Sequence, residues 1–236
     1  MLNNRVYYDE FASWYEKERH EGYHALIDDL ELSLLDPYVN AEAEVLEVGC
    51  GTGLLLDRVA PRAKRAVGVD ISAGMLQKAV ERGLEVAQAD AAALPFADAS
   101  FDLVYSFKVL AHVEQIDAAL KEAARVTRPG GHLVLEFYNP WSIRYAAKRL
   151  GGPGKISAKT RESEVYTRWD SPMDLARKLP NGLQLLDFAG VRVFTPTALV
   201  HRVPLVGRAM RRLEWAGLHG ALRYFGGFLV VIARRL

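Results

Sequence analysis

Apolar positions change their period along the chain, and the changes mark out its elements. Tyr7, Tyr8, Phe11, Trp14 and Tyr15 recur at helical spacing, and Tyr23, Leu26, Ile27, Leu30 and Leu34 repeat the pattern up to Pro37, which predicts two amphipathic helices. From Glu44 onward short β-branched runs take over, at 44–48, 66–70, 84–89, 101–106 and 132–137. Helix signals lie between them at 54–59, from the Ser72 N-cap to Arg82 ahead of Gly83, and at 118–125. Strands alternating with helices predict βαβ units, and hence a parallel sheet covered on both faces.

After Asn139 the pattern is less regular. Gly151-Gly152-Pro153-Gly154 reads as a loop, and Ser171-Pro172-Met173-Asp174 opens a short helix with a cap, a proline at N1 and an acid at N3. Residues 183–194 and 225–234 read as two further strands. About 44 residues precede the first of these and about 30 separate the two. Both connections exceed ordinary loop lengths, which predicts substrate-facing elements around the carboxyl ends of the strands. There is no internal repeat and no low-complexity tract.

Composition narrows the class. Half of the 236 residues are hydrophobic, and 30 Lys+Arg against 29 Asp+Glu leave a net charge of +1, as in an ordinary globular domain. The single cysteine, Cys50, excludes an intrachain disulfide and a Cys-cluster metal site and fits a reducing compartment. Arg5, Asp9 and Glu10 interrupt the first ten residues, unlike a signal peptide. The apolar run from Phe225 to Ala233 is nine residues, far below the ~20 of a membrane helix, so a cytoplasmic location and no membrane span are expected. The balance of charge is uneven along the chain. Residues 1–140 carry 13 basic and 23 acidic side chains, whereas 141–236 carry 17 basic and 6 acidic. Arg144, Lys148 and Arg149 form one basic stretch and Arg202, Arg208, Arg211 and Arg212 another, the latter interleaved with Val206, Ala209, Met210 and Leu213. Such a split fits either an anionic partner or an uneven solvated surface.

Chemistry concentrates at Val45-Leu46-Glu47-Val48-Gly49-Cys50-Gly51-Thr52-Gly53, a predicted strand running into a glycine-rich turn and a helix. Glycines permit a sharp turn and close ligand approach, and a helix start offers N–H groups and positive dipole to an anion. Asp70 follows at the end of the next strand, where a carboxylate could accept both hydroxyls of a ribose. Nicotinamide enzymes share this logic, but their pattern needs a small residue where this chain has Leu54. Cys50 reads as a packing or backbone contact rather than a nucleophile. Met75 fits both an adenine contact and core filler. His112 could serve as a base but reads better as a satisfied histidine at a helix start. His20 and His24, one helical turn apart, could be metal ligands or a base; with no third ligand in view, exposed histidines fit better, and no metal is expected.

These motifs together resemble a class I S-adenosylmethionine-dependent methyltransferase of the small-molecule type. The family's first motif matches Glu47 to Gly53, its ribose acid Asp70, and its adenine-side acid Asp90 in Gln88-Ala89-Asp90-Ala91. Leu94-Pro95-Phe96 with Phe101-Asp102-Leu103-Val104, His112-Val113 and Arg128-Pro129-Gly130-Gly131 follow in the family's order, so the match is dense over 45–137. The resemblance implies S-adenosylmethionine as cofactor, held by Glu47, Gly49, Cys50, Gly51, Gly53, Asp70, Ile71, Met75, Asp90, Ala91 and Phe107. It also implies that Tyr15, in Phe11-Ala12-Ser13-Trp14-Tyr15, closes over the methionine end. The implied fold is a Rossmann-like doubly wound α/β sheet of seven mostly parallel strands, order 3-2-1-4-5-7-6 with the last antiparallel. One domain over 1–236 would comprise a helical lid at 1–36, a cofactor-binding core at 44–139, and at 140–236 the insertions after strands 5 and 6 with the last two strands. The expected reaction is methyl transfer to an O or N atom of a small acidic or amphipathic molecule. Phe137-Tyr138-Asn139 and Gly190-Val191-Arg192-Val193-Phe194 are similar to stretches of bacterial enzymes that esterify a carboxylated wobble uridine of tRNA, which keeps nucleic acid open as an acceptor. A non-catalytic cofactor-binding regulator is the remaining alternative.

Overall fold

The computed structural model describes residues 22–151 and 166–236. Seven strands, β1 (Glu44–Val48), β2 (Arg65–Asp70), β3 (Glu85–Gln88), β4 (Phe101–Ser106), β5 (Thr127–Tyr138), β6 (Leu183–Val191) and β7 (Phe228–Arg235), form one sheet in the order β3-β2-β1-β4-β5-β7-β6. All neighbours pair in parallel except β7, which runs antiparallel to both β5 and β6. The order is the one expected. The longer helices are α1 (Gly22–Ser33), α2 (Leu54–Val59), α3 (Ala73–Glu81), α4 (Ile116–Val126), α5 (Ile143–Gly151), α6 (Pro172–Lys178) and α7 (Pro204–Gly217). None among the described residues is long and apolar enough to cross a membrane.

Successive residues of a strand point to opposite faces, so a continuous apolar run supplies two cores. Val45, Leu103, Val134 and Val230 face one side with Leu26, Ile27 and Leu30 of α1. Leu46, Val104, Leu133 and Val231 face the other, under Ala119, Leu120 and Ala123 of α4. The second of the two helices predicted at the N-terminus is therefore a core helix of the sheet; the first lies outside the described residues.

Local signals explain the element starts. Ser72 Oγ accepts the Met75 N–H at 3.1 Å to begin α3. At α6 the Ser171 Oγ accepts the Asp174 N–H at 3.2 Å while Asp174 accepts the Ser171 N–H at 3.1 Å, the reciprocal cap read from the sequence. Three boundaries differ. β5 begins at Thr127 rather than 132, because Thr127 already pairs with Phe101 across a shift in register, with Gly130 at φ 83° taking up the irregularity. β6 stops at Val191 because Arg192 turns into the left-handed region at φ 60°. β7 starts at Phe228, after the Gly226-Gly227 pair.

The strand order reverses between β1 and β4. Their connections leave in opposite directions, opening a crevice beyond their carboxyl ends, where doubly wound sheets bind ligands.

Candidate functional site

A cleft of about 490 Å³ occupies that crevice. Of the residues predicted to hold a cofactor, Glu47, Gly49, Cys50, Gly51, Asp70, Ile71, Met75, Asp90, Ala91 and Phe107 all line it, and so does His112. Gly53 does not. A Cβ there would run into Leu84 of the α3–β3 turn and lie 3.1 Å from the Ala79 Cβ, so at φ 82° its role is to let α2 pack against α3. His24 is not among the lining residues and stands edge-on to Tyr23. Tyr15 and His20 lie outside the described residues.

The glycine turn is built from the β1 end. Gly49 and Cys50 donate to the Val69 carbonyl at 2.7 and 2.9 Å, which pins the turn to β2. Gly49 lies against Val109, leaving no room for a Cβ. Gly51 differs: its φ is 54° and nothing stands within 4 Å of where a Cβ would be, so its backbone is bare to the cleft. The Cys50 sulfur packs over Gly68, 2.6 Å from where a Cβ would sit there, and burial holds its thiol protonated. That agrees with a packing cysteine and excludes a ready thiolate.

Glu114 and three carboxylates at or beyond the ends of β1–β3 line the cleft. Asp70 accepts the N–H of Gly51 and of Ser72, both at 2.9 Å, so it fixes the loop as well as facing the cleft. Asp90 accepts the Ala92 N–H at 2.9 Å at the tip of a turn. Glu47 is buried, with the Tyr105 hydroxyl donating to it at 2.9 Å, and desolvation raises its pKa to about 8. Asp70 and Glu31 push in the same direction; the Tyr105 hydrogen bond and Lys108 oppose.

His112 closes the other end, in a single helical turn (Leu110–His112) after β4. Its Nδ1 is 2.8 Å from the Tyr166 carbonyl and its Nε2 is 3.3 Å from the Tyr138 hydroxyl. A carbonyl only accepts, so the proton belongs on Nδ1 and the lone pair on Nε2. Burial, with Arg144 and Lys148 nearby, lowers its pKa and keeps the ring neutral.

Two lining residues had escaped notice. Thr52 is buried, and its Oγ1 has no hydrogen-bond partner. Its place inside the glycine motif was the available signal. Lys108 stands at φ 62°, and its Nζ bridges Asp28 at 2.9 Å and Glu31 at 2.8 Å, tying α1 to the cleft rim. Nothing local announces a left-handed lysine. Among the described residues no group of three or more His, Cys, Asp or Glu could hold a metal ion.

A glycine-cradled cleft at the switch point, with an acid on each of the first two strand ends and a third beyond β3, defines a nucleotide-type binding site. The bare Gly51 backbone, the orphan Thr52 hydroxyl and the desolvated Glu47 fit a ligand with a cationic amino-acid end, a ribose and a flat base. Comparison with known proteins agrees. A methyltransferase domain family matches residues 46–135. The chain is 33% identical over 149 residues to a demethylmenaquinone methyltransferase of Corynebacterium urealyticum, covering 58% of this chain and 65% of that protein. It is 30% identical over 187 residues to a ubiquinone biosynthesis O-methyltransferase of Azoarcus sp., covering 74% of this chain and 78% of that one. The fold superposes on an S-adenosylmethionine-dependent methyltransferase of Thermotoga maritima with a TM-score of 0.70 at 20% identity, over 99% of this chain and 100% of that. The chain belongs to the S-adenosylmethionine-dependent methyltransferases of class I fold. These are enzymes whose cofactor is S-adenosylmethionine, which sets aside the nicotinamide reading and that of a bare regulator.

Proposed function

We propose that this chain transfers the methyl group of S-adenosylmethionine to an O or N atom of a small acidic or amphipathic molecule. The observation that carries the reading is the cleft itself, with donor-side carboxylates at one end and the neutral His112 at the other. Gly51 and Thr52 would take the amino-acid end with Glu47 beside its ammonium, Asp70 the ribose hydroxyls, and Asp90 with Ile71, Met75 and Ala91 the adenine.

The bound donor supplies an activated methyl group: the acceptor's lone pair bonds to carbon as the carbon–sulfur bond breaks, and that bond's electrons stay on sulfur. The protein therefore needs to align two molecules and exclude water, for which orientation alone is worth up to roughly 7–11 kcal/mol. A hydroxyl acceptor, or a neutral amine once its nitrogen has bonded to the methyl carbon, also loses a proton. The Nε2 lone pair of His112, within reach of the Tyr138 hydroxyl, is positioned to receive it. The named acceptors of the quinone-pathway relatives are small molecules, and this chain's basic second half favours an acidic one.

The test is calorimetric titration with S-adenosylhomocysteine. Hydrogen bonds to a charged group contribute ~1.5–3 kcal/mol, so Asp70→Ala should weaken binding roughly 10- to 150-fold, whereas Asp70→Asn, which still accepts one backbone N–H, should lose less. Unchanged affinity in Asp70→Ala would overturn the assignment of the cleft.

A further inference from the structure

Beyond His112 the carboxyl edge of the sheet carries two arginines, Arg144 and Arg192, that form no ion pair with a carboxylate among the described residues. Arg144 sits in the first turn of α5, which is anchored by the buried Asn139: its Nδ2 donates to the Tyr224 and Gly226 carbonyls at 2.8 and 3.0 Å, and its Oδ1 accepts the Trp141 N–H at 3.0 Å. The Arg144 guanidinium carbon lies 4.3 Å from the Tyr138 ring centre, 4.8 Å from Phe228 and 5.6 Å from Trp169. Its Nη1 is buried without a hydrogen-bond partner. Arg192 reaches the same place from the end of β6. Its stem and that of Arg144 come within 3.3 and 3.4 Å of where a Cβ on Gly227 would be, so the two side chains converge over that glycine. Arg192 spends Nε and Nη2 on the Thr195 and Pro196 carbonyls at 3.1 and 2.9 Å and lies over Tyr23 at 5.2 Å.

Four other arginines of the sheet and its helices are paired with carboxylates: Arg128 with Glu44 and Asp102, Arg125 with Glu122 and Asp98, Arg168 with Asp170, Arg223 with Asp187. The carboxylate whose charge reaches Arg192, Glu214, is committed to three backbone N–H groups. Two neighbouring cations, of which Arg192 is desolvated and Arg144 keeps a buried unused donor, are costly unless an anion completes them. Arg192 is also held at φ 60°, a strained conformation for a non-glycine residue, of the kind that collects at functional sites.

Resting on the reading of the cleft as the methyl-donor site, we propose that Arg144, with Arg192 beside it, anchors the carboxylate of a flat, unsaturated acceptor acid and so sets the acceptor specificity of the enzyme. The geometry favours a carboxylate over a phosphate. A planar guanidinium such as that of Arg144, with its unpartnered Nη1, matches two carboxylate oxygens, while Arg192 has Nε and Nη2 engaged and contributes mainly its field. The surrounding rings of Tyr138, Trp169 and Phe228 suit a planar apolar body. Tyr138 links the two places: the Arg144 guanidinium lies over its ring, and its hydroxyl is 3.3 Å from Nε2 of His112, which lines the cleft.

The experiment is protein-observed NMR titration of the full chain saturated with S-adenosylhomocysteine, using benzoate, benzamide and inorganic phosphate as probes. Benzoate should bind at least 10-fold more tightly than benzamide or phosphate. Arg144→Gln should abolish that preference and Arg144→Lys should reduce it about 10-fold, with S-adenosylhomocysteine affinity within about 3-fold of the parent. Failure of benzoate to bind, or equal binding in Arg144→Gln, overturns the proposal; tighter binding of phosphate overturns the carboxylate class. Should Arg144→Gln fail to fold, the 10-fold reduction in Arg144→Lys carries the test, and an unchanged preference there overturns the proposal. Loss of S-adenosylhomocysteine binding by the parent chain would instead sink the reading of the cleft.

Discussion

Glu47 holds a carboxyl group where water is excluded, and its acidity follows from that position. The group is surrounded by Tyr105 of β4, Asp70 of β2, Glu31 of α1 and Lys108 after β4, and burial outweighs the lysine to raise its pKa to about 8. A carboxyl whose folded pKa is raised binds its proton more tightly in the folded state. The stability this gives is complete below the unfolded value of about 4.5 and is lost as pH rises toward about 8. The ligand-free protein should therefore lose melting temperature between pH 5.5 and 8.5, and Glu47→Gln should lose less over the same window. Part of the slope will survive in the variant, because burial raises the pKa of Glu136 too. Identical slopes in the two proteins would show that Glu47 does not titrate there. The acid itself was legible, since an acid two residues before the first glycine belongs to the motif. Its desolvation was not, because it depends on Tyr105 and Glu31, 58 residues downstream and 16 upstream in sequence.

At the level of elements, the place where β6 ends decides where Arg192 points. Glu214 of α7 is fully buried, and its carboxylate accepts the N–H groups of Val193, Phe194 and Thr195 at 2.8, 3.0 and 2.7 Å. This one side chain replaces the ladder partners that the strand would otherwise need and locks α7 against the turn. Glu214→Ala would leave three buried donors unsatisfied at ~1–3 kcal/mol each, so a loss on the order of 3 kcal/mol or more is expected in urea denaturation. Glu214→Gln should fall between, since its carbonyl can still accept the Phe194 and Thr195 bonds. A loss below ~1 kcal/mol in Glu214→Ala would mean that water satisfies the turn. The alternation of apolar runs and helix windows was enough to place seven strands, because each run is buried on one or both faces by its own sequence. Strand ends were less legible. The register shift at Thr127 and the stop at Val191 depend on partners distant in sequence, Phe101 and Glu214, and no local propensity encodes them. The same holds at the site: the glycine turn, Asp70 and Asp90 are contiguous signals on successive strand ends, whereas the meeting of Arg144, Arg192 and Gly227 needs three connections to fold first.

Over the whole molecule, the charge asymmetry along the chain becomes an asymmetry across one edge of the sheet. Residues 1–140 have a net charge of −10 and supply Asp70 and Asp90 on the donor side; residues 141–236 have +11 and supply Arg144, Lys148 and Arg192 on the proposed acceptor side. S-adenosylmethionine carries a sulfonium and an ammonium against one carboxylate, so a cationic donor and an anionic acceptor would each be drawn toward its own side of the site. A small acid and tRNA would both feel the basic half, and salt separates them. An acid that meets one or two arginines in a partly desolvated pocket is weakly screened, so its affinity should fall less than about threefold between 50 and 200 mM salt. A nucleic acid neutralised at 6–10 phosphates should lose ~10³- to 10⁵-fold over the same range. Filter binding of bulk tRNA and NMR titration of benzoate at the two salt concentrations should therefore show weak tRNA association that vanishes at 200 mM and acid binding that persists. Tight tRNA binding with that steep slope, together with methyl transfer to the RNA, would move the acceptor to the wobble-uridine class.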